Sequence, residues 1–338
     1  MHPELSLVLL TVLAGAGQGI FILIVALDAL FYNTGIPLGY VLTGVIISML
    51  FQIAGIITST SHLGNPQRGW RAALMFKNSW LSREVITLSL SVVFAFIYLV
   101  LYYYGASANL RIIAGGLGIL ANIGFYISSS MVYASVRFIR EWSNTFTPVN
   151  FLLFGLTSGF AVNFAIAHYT SLDASIINSI NRVLLGLGSI SLLMKVLTYR
   201  FNSNVYVSVN IKNAVGINDP DIKLMDMGTS YDHYNTKEYY HPMSDSDNVN
   251  AKKLIIAVTF LLPLIFWAVT LSNVIMQLNS FLSILAAIFM MTGLVFERRL
   301  FFMHGNNLQN MYYGKFRSSG AKNPLLRKAK KGTPTPVS

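Results

Sequence analysis

The sequence predicts an all-α membrane bundle of about eight transmembrane helices with both termini in the cytoplasm. Three observations carry that expectation. Of the 338 residues, 54% are hydrophobic and only 11% charged, about half the charge of a soluble domain at roughly 25%. The apolar residues arrive in blocks, several long enough for a bilayer, which needs about 20 residues at roughly 1.5 Å rise each. The basic residues gather in alternate loops, as they do on the cytoplasmic side of membrane proteins. The chain has no cysteine, which excludes thiolate-held zinc, iron–sulfur clusters, disulfides and cysteine nucleophiles. The formal net charge of +11 reports orientation rather than nucleic-acid binding.

The first block, 5–31, is too long for a signal h-region and has no basic flank before it, so it reads as a retained helix. Gly15, Gly17 and Gly19 within it let a neighbouring helix approach closely. The next spans are expected at 38–60, 85–104, 110–135, 149–169 and 174–199, and the last two at 254–277 and 281–303. The loop after span two carries Arg68, Arg71, Lys77 and Arg83, and the loop after span four Arg137 and Arg140. Lysines populate the long segment 200–253 and the tail, whereas Arg111 is the only basic residue of the four opposite loops. Residues 1–303 thus form the anchor domain and 304–338 a basic tail without order of its own. The stretch 204–211 alternates like a short strand, and the whole segment 200–253, with Tyr206, Tyr231, Tyr234, Tyr239 and Tyr240, reads as a docking loop.

The chemistry concentrates in one membrane-edge segment. It runs His62-Leu63-Gly64-Asn65-Pro66-Gln67-Arg68-Gly69-Trp70-Arg71 and continues through Phe76 to Ser79-Trp80-Leu81-Ser82-Arg83-Glu84. An imidazole, arginines, a carboxylate and two indoles beside two span ends suit a ligand with an aromatic head and two polar oxygens. A quinone is such a ligand: its ring wants an apolar wall, its oxygens want donors, and its redox chemistry moves protons. Histidine, titrating near pH ~6.5, suits that task, and Glu84 can relay a proton at the membrane boundary. The same residues also have a plainer reading. Arg and Trp anchor helix ends at membrane interfaces, and Glu84 can pair with an arginine or cap span three.

Other polar residues are sparser. Gln18, Gln52, Asn122 and Asn163 lie inside spans, where such groups join helices by hydrogen bonds; Gln18 is also a candidate to line a quinone cavity. Asp28, His168 and Arg182 fall toward the outer face, and Asp28 is the expected partner of Arg182, as a structural ion pair or part of a proton path. Haem is not expected, because His62 and His168 fall at opposite faces, roughly 30 Å apart.

The segment from His62 to Arg71, with Ser79 to Glu84, resembles the signature of the DMSO reductase anchor-subunit family. Glu141-Trp142 with Thr147-Pro148-Val149-Asn150-Phe151, and Glu297-Arg298-Arg299-Leu300-Phe301-Phe302 with Asn310-Met311-Tyr312-Tyr313-Gly314, resemble further family segments in the same order. The resemblance covers nearly the whole chain. Within the family, Met1-His2-Pro3-Glu4-Leu5-Ser6, Gly15-Ala16-Gly17-Gln18-Gly19 and Lys223-Leu224-Met225-Asp226-Met227-Gly228 are most similar to the anchor of cytoplasmic sulfite dehydrogenases. Gly69 and Arg299 depart from the family pattern, which often has alanine and tryptophan there.

The resemblance implies a membrane subunit of a three-part molybdenum oxidoreductase in the bacterial cytoplasmic membrane. Its quinone (ubiquinone or menaquinone) would exchange electrons with a four-cluster, ferredoxin-like iron–sulfur subunit and then a molybdopterin catalytic subunit, both on the cytoplasmic face. Sulfite oxidation with quinone reduction is the expected direction, with quinol oxidation by a DMSO-type reductase the alternative. His62 and Glu84 match the family's proposed quinone-site histidine and glutamate. The expected site is His62 and Glu84 for proton chemistry, with Gln18, Gly64, Pro66, Arg68, Arg71, Trp80 and Arg83 around the quinone. A secondary transporter, which would call for internal repeats and broken helices, and a passive anchor are the rival readings.

Overall fold

The computed structural model describes residues 5–32, 35–61, 64–205, 216–217, 231, 233–239, 241, 243–272 and 276–313. Eight helices among them are long and apolar enough to cross a membrane. They are α1 (Leu5–Leu30), α2 (Leu38–Thr60), α3 (Trp80–Tyr103), α4 (Ala108–Ala134), α5 (Phe146–His168) and α6 (Ala174–Asn204), then α7 (Asp245–Thr270) and α8 (Met276–Met303). A 3-10 segment, Pro66–Ala73, joins α2 to α3. No strand occurs among the described residues. The strand-like stretch lies largely outside them, as do most of the long polar segment and the tail beyond Tyr313.

Two helices form the centre. In their most apolar windows α1 is 83% buried and α5 67%, against 28–39% for the other six. The bundle is therefore an inner pair wrapped by six helices whose outer faces present Leu, Ile, Val and Phe. Glycine permits the central crossing. A Cβ on Gly159 would lie 2.5 Å from the backbone of Gly19, so the two backbones touch, as small residues allow inside membranes. Tyr126 of α4 reaches the same place and donates its hydroxyl to the Gly15 carbonyl (2.7 Å).

Helix ends differ from the apolar blocks where polar caps extend them. α3 starts at Trp80, not 85, because the Ser79 hydroxyl accepts from the Ser82 N–H (3.3 Å). α7 starts at Asp245, where Ser244 accepts from the Asp247 N–H (3.1 Å) and Asp245 and Asp247 occupy the first turn, favourable at a helix N-terminus. α7 also contains a π turn at Ala257–Leu261, just before Pro263, whose ring cannot continue a regular α ladder.

Candidate functional site

α3 and α4 run antiparallel and set the depth of every polar group between them. Thr87 lies against Gly124, and Tyr98 against Gly115. This register stacks three polar layers, each separated from the next by seven residues, about 10 Å along a helix. At the loop end, Glu84 lies alongside the Ser129 hydroxyl. In the middle, Ser91 bonds both Asn122 and the Gln52 amide oxygen, the latter at 2.6 Å. Gln52 continues to Ser48 (3.1 Å), which donates to the Gly17 carbonyl (2.6 Å). At the far end, Asp28 accepts from Tyr98 (2.9 Å) and pairs with Arg111 (3.2 Å). Leu88 and Phe125 separate the first two layers, and Phe21 and Ala95 the last two.

The outer pair corrects an expectation. Asp28 is 1% exposed and is neutralised by Arg111 from α4, not by Arg182. Arg182 is exposed on α6 and, among the described residues, donates only to the Asn178 carbonyl of its own helix (3.3 Å). Depth along the helices puts both arginines near Asp28, but only packing decides which helix is the neighbour: α4 lies against α1 and presents Arg111. His168, at the end of α5, packs edge-on against Phe164, with ring centres 4.8 Å apart.

The sequence-predicted site residues fall into distinct settings. His62 lies outside the described residues. Gly64, Pro66, Arg68 and Arg71 are exposed, and Arg71 lies beside the Trp70 ring at 5.8 Å. Trp70, Leu74, Met75 and Phe76 expose half or more of their surface nearby. Arg83 ties this segment to α3. It donates to the carbonyls of Phe76 (3.0 Å) and Lys77 (2.7 Å), and its guanidinium stacks 4.2 Å over the Trp80 ring. Glu84, one residue on, points the other way and is 6% exposed. Gln18 is fully buried, and neither of its amide atoms has a hydrogen-bond partner among the described residues. The pairs Gly15–Tyr126, Phe21–Gly118 and Val25–Gly115 put Gln18 level with Asn122. Gln18 therefore sits about 10 Å deeper than Glu84, in the middle layer.

These surroundings fit a quinone head at the loop end. The exposed indole and aliphatic side chains supply a wall, the arginines supply donors, and Glu84 is a carboxylate just inside the helix start.

Sequence reasoning missed a second charged cluster at this end of the bundle. Lys195 of α6 and Glu297 of α8 form a buried ion pair, and Arg298 lies 3.5 Å from the other Glu297 oxygen. Arg298 stacks 3.8 Å over Phe151, and Lys195 lies 4.5 Å from the Tyr199 ring centre. Tyr133 of α4 packs among Trp142, Phe151, Phe301 and Phe302. Three charges within spans six and eight were themselves a signal, because ions are rare inside membranes unless they are paired and used.

A family model described as "DMSO reductase anchor subunit (DmsC)" matches residues 1–314. A sulfite dehydrogenase subunit from Allochromatium vinosum is 31% identical over 327 residues, covering 93% of this chain and 99% of that protein.

Proposed function

Because the chain belongs to the DMSO reductase anchor-subunit family, we propose that it is the membrane anchor of a molybdenum–iron–sulfur oxidoreductase and its quinone-reactive subunit. The observation that carries the proposal is the placement of Glu84: a buried carboxylate in the first turn of α3, directly behind the Arg83–Trp80 stack and the exposed segment 64–76. A quinone head reaching this end of the membrane meets an aromatic wall, cationic donors and a proton-handling group within one helical turn.

Reduction of a quinone consumes two electrons and two protons. The electrons come from the iron–sulfur subunit, docked on the face where the basic loops lie. That face is cytoplasmic by the positive-inside rule. His62 hydrogen-bonds one quinone oxygen. Arg71 stabilises the negative charge that develops before protonation, while Arg83 holds Trp80 as wall and fixes the loop. Glu84 delivers protons from the buried side. Sulfite oxidation is the favoured direction, since the similarity to the Allochromatium vinosum sulfite dehydrogenase protein runs the length of both chains. Run in reverse, the same residues would accept protons from a quinol.

The test uses the purified complex of this chain with its partner subunits. His62→Ala and Glu84→Gln should each lower quinone-coupled turnover at least 100-fold while turnover with an artificial dye, which draws electrons from the partner subunits directly, stays intact. Quinone-coupled turnover unchanged in both variants would remove this site from the reaction and leave a passive anchor.

A further inference from the structure

Arg182 is a cation inside a span with no carboxylate partner among the described residues. It stands about 12 Å along α6 from the helix start at Ala174. It belongs to a stripe of exposed residues with Ser179, Val183, Gly186 and Ile190. Ions at such depth are rare unless they are paired. Asp28 is taken by Arg111. Over residues 146–204 and 248–296 the sequence has one acidic residue, Asp173, about 13 Å from Arg182 along the helix. Side chains on a helix lean toward its N-terminus, and Arg182 does so: its Nε donates to the Asn178 carbonyl one turn back (3.3 Å). Its two Nη groups make no hydrogen bond among the described residues. They form a planar fork that matches the oxygens of a phosphate.

Asn178 also lines a cavity of about 230 Å³, several times the space one water needs. The cavity lies where the far ends of α5, α6, α7 and α8 meet, beside Phe164, His168, Thr270 and Asn279. No acidic residue lines it. The His168 Nε2 atom is buried and has no hydrogen-bond partner among the described residues. An unneutralised cation and a roomy, polar, acid-free cavity therefore share one residue, Asn178. We propose that an anionic phospholipid binds here, from the leaflet at the end opposite the segment Pro66–Ala73. Its phosphate sits on the Arg182 fork, and its headgroup enters the cavity toward Asn178 and His168. One acyl chain runs down the exposed stripe of α6 over Gly186 to Ile190 and Leu193. A Cβ at Gly186 would meet nothing within 4 Å, so the stripe is open there to a chain lying close. A partner helix could cover that stripe, but it would leave the cavity unfilled. The site is at the other end of the bundle from Glu84, so the inference does not rest on the quinone reading.

The experiment uses the purified complex, freed of loosely held lipid by detergent exchange. Native mass spectrometry reads the bound lipid as dioleoyl phosphatidylglycerol or the zwitterionic dioleoyl phosphatidylcholine is added. The tightest phosphatidylglycerol site is expected to bind at least tenfold more strongly than phosphatidylcholine. Arg182→Gln should weaken that site at least tenfold and leave phosphatidylcholine binding within twofold of the parent. Ala174→Trp changes an exposed residue at the cavity; it crowds the headgroup with Arg182 still in place, and should weaken the site at least threefold. Dye-coupled turnover kept by both variants shows that the complex is assembled. Glycerol phosphate in tenfold excess should not displace the lipid. Four results would overturn the proposal. They are equal affinity of the parent for the two lipids, phosphatidylglycerol affinity within twofold of the parent in either variant, displacement by glycerol phosphate, which would make this a site for a free phosphate, and a second copy of the chain bound at this face in place of the lipid.

Discussion

The segment Pro66–Ala73 and the cluster of Lys195, Glu297 and Arg298 lie at the same end of the bundle and are built in opposite ways. The first is a short run of neighbours in sequence, with no buried residue. The second joins side chains 102 residues apart, each 5% exposed or less. A contiguous motif marks a surface, where residue types are chosen for what arrives from outside. The dispersed cluster marks an interior, where each charge is held only because another helix neutralises it. Removing one member should therefore matter far more to the fold in the second region than in the first.

Three substitutions sharpen that contrast, in falling order of effect. Lys195→Met leaves Glu297 with its nearest cation gone inside the bundle, and should cost about 3–5 kcal/mol. Denaturant unfolding in detergent measures it, and the double variant with Glu297→Gln should recover most of the loss. Arg83→Ala removes two hydrogen bonds and the stack that ties the loop to α3. Its expected cost is smaller, about 1–2 kcal/mol, and it should raise the KM for quinone more than it lowers kcat. Trp70→Ala, in the exposed loop, should change stability by less than about 0.5 kcal/mol in the same unfolding assay. A loss at Trp70 as large as that at Lys195 would break the contrast.

The spans were legible because bilayer-length apolar blocks need no partner to be recognised. Leu38–Thr60 was read to the residue. The start of α3 was not, since Trp80-Leu81-Ser82-Arg83-Glu84 looks like loop until Ser79 is seen to cap it. Glu84 was singled out from its neighbours in sequence, but its inward direction was not legible, because Arg83 beside it turns outward to the loop carbonyls. Gln18 was expected to join helices or to line a quinone cavity, and the helix register sets it level with Asn122 in the middle polar layer. The wrong partner for Asp28 and the missed Lys195–Glu297 pair share one cause. Hydropathy gives a residue's depth along its helix but not which helices are neighbours.

The account stands most directly on where the quinone binds. A photoreactive quinone analogue, cross-linked to the intact complex and mapped by mass spectrometry, reads that out. Label on the segment 61–84 of this chain, lost when excess natural quinone competes, is the predicted result. Competable label found only on a partner subunit would contradict the account and leave this chain as an anchor alone.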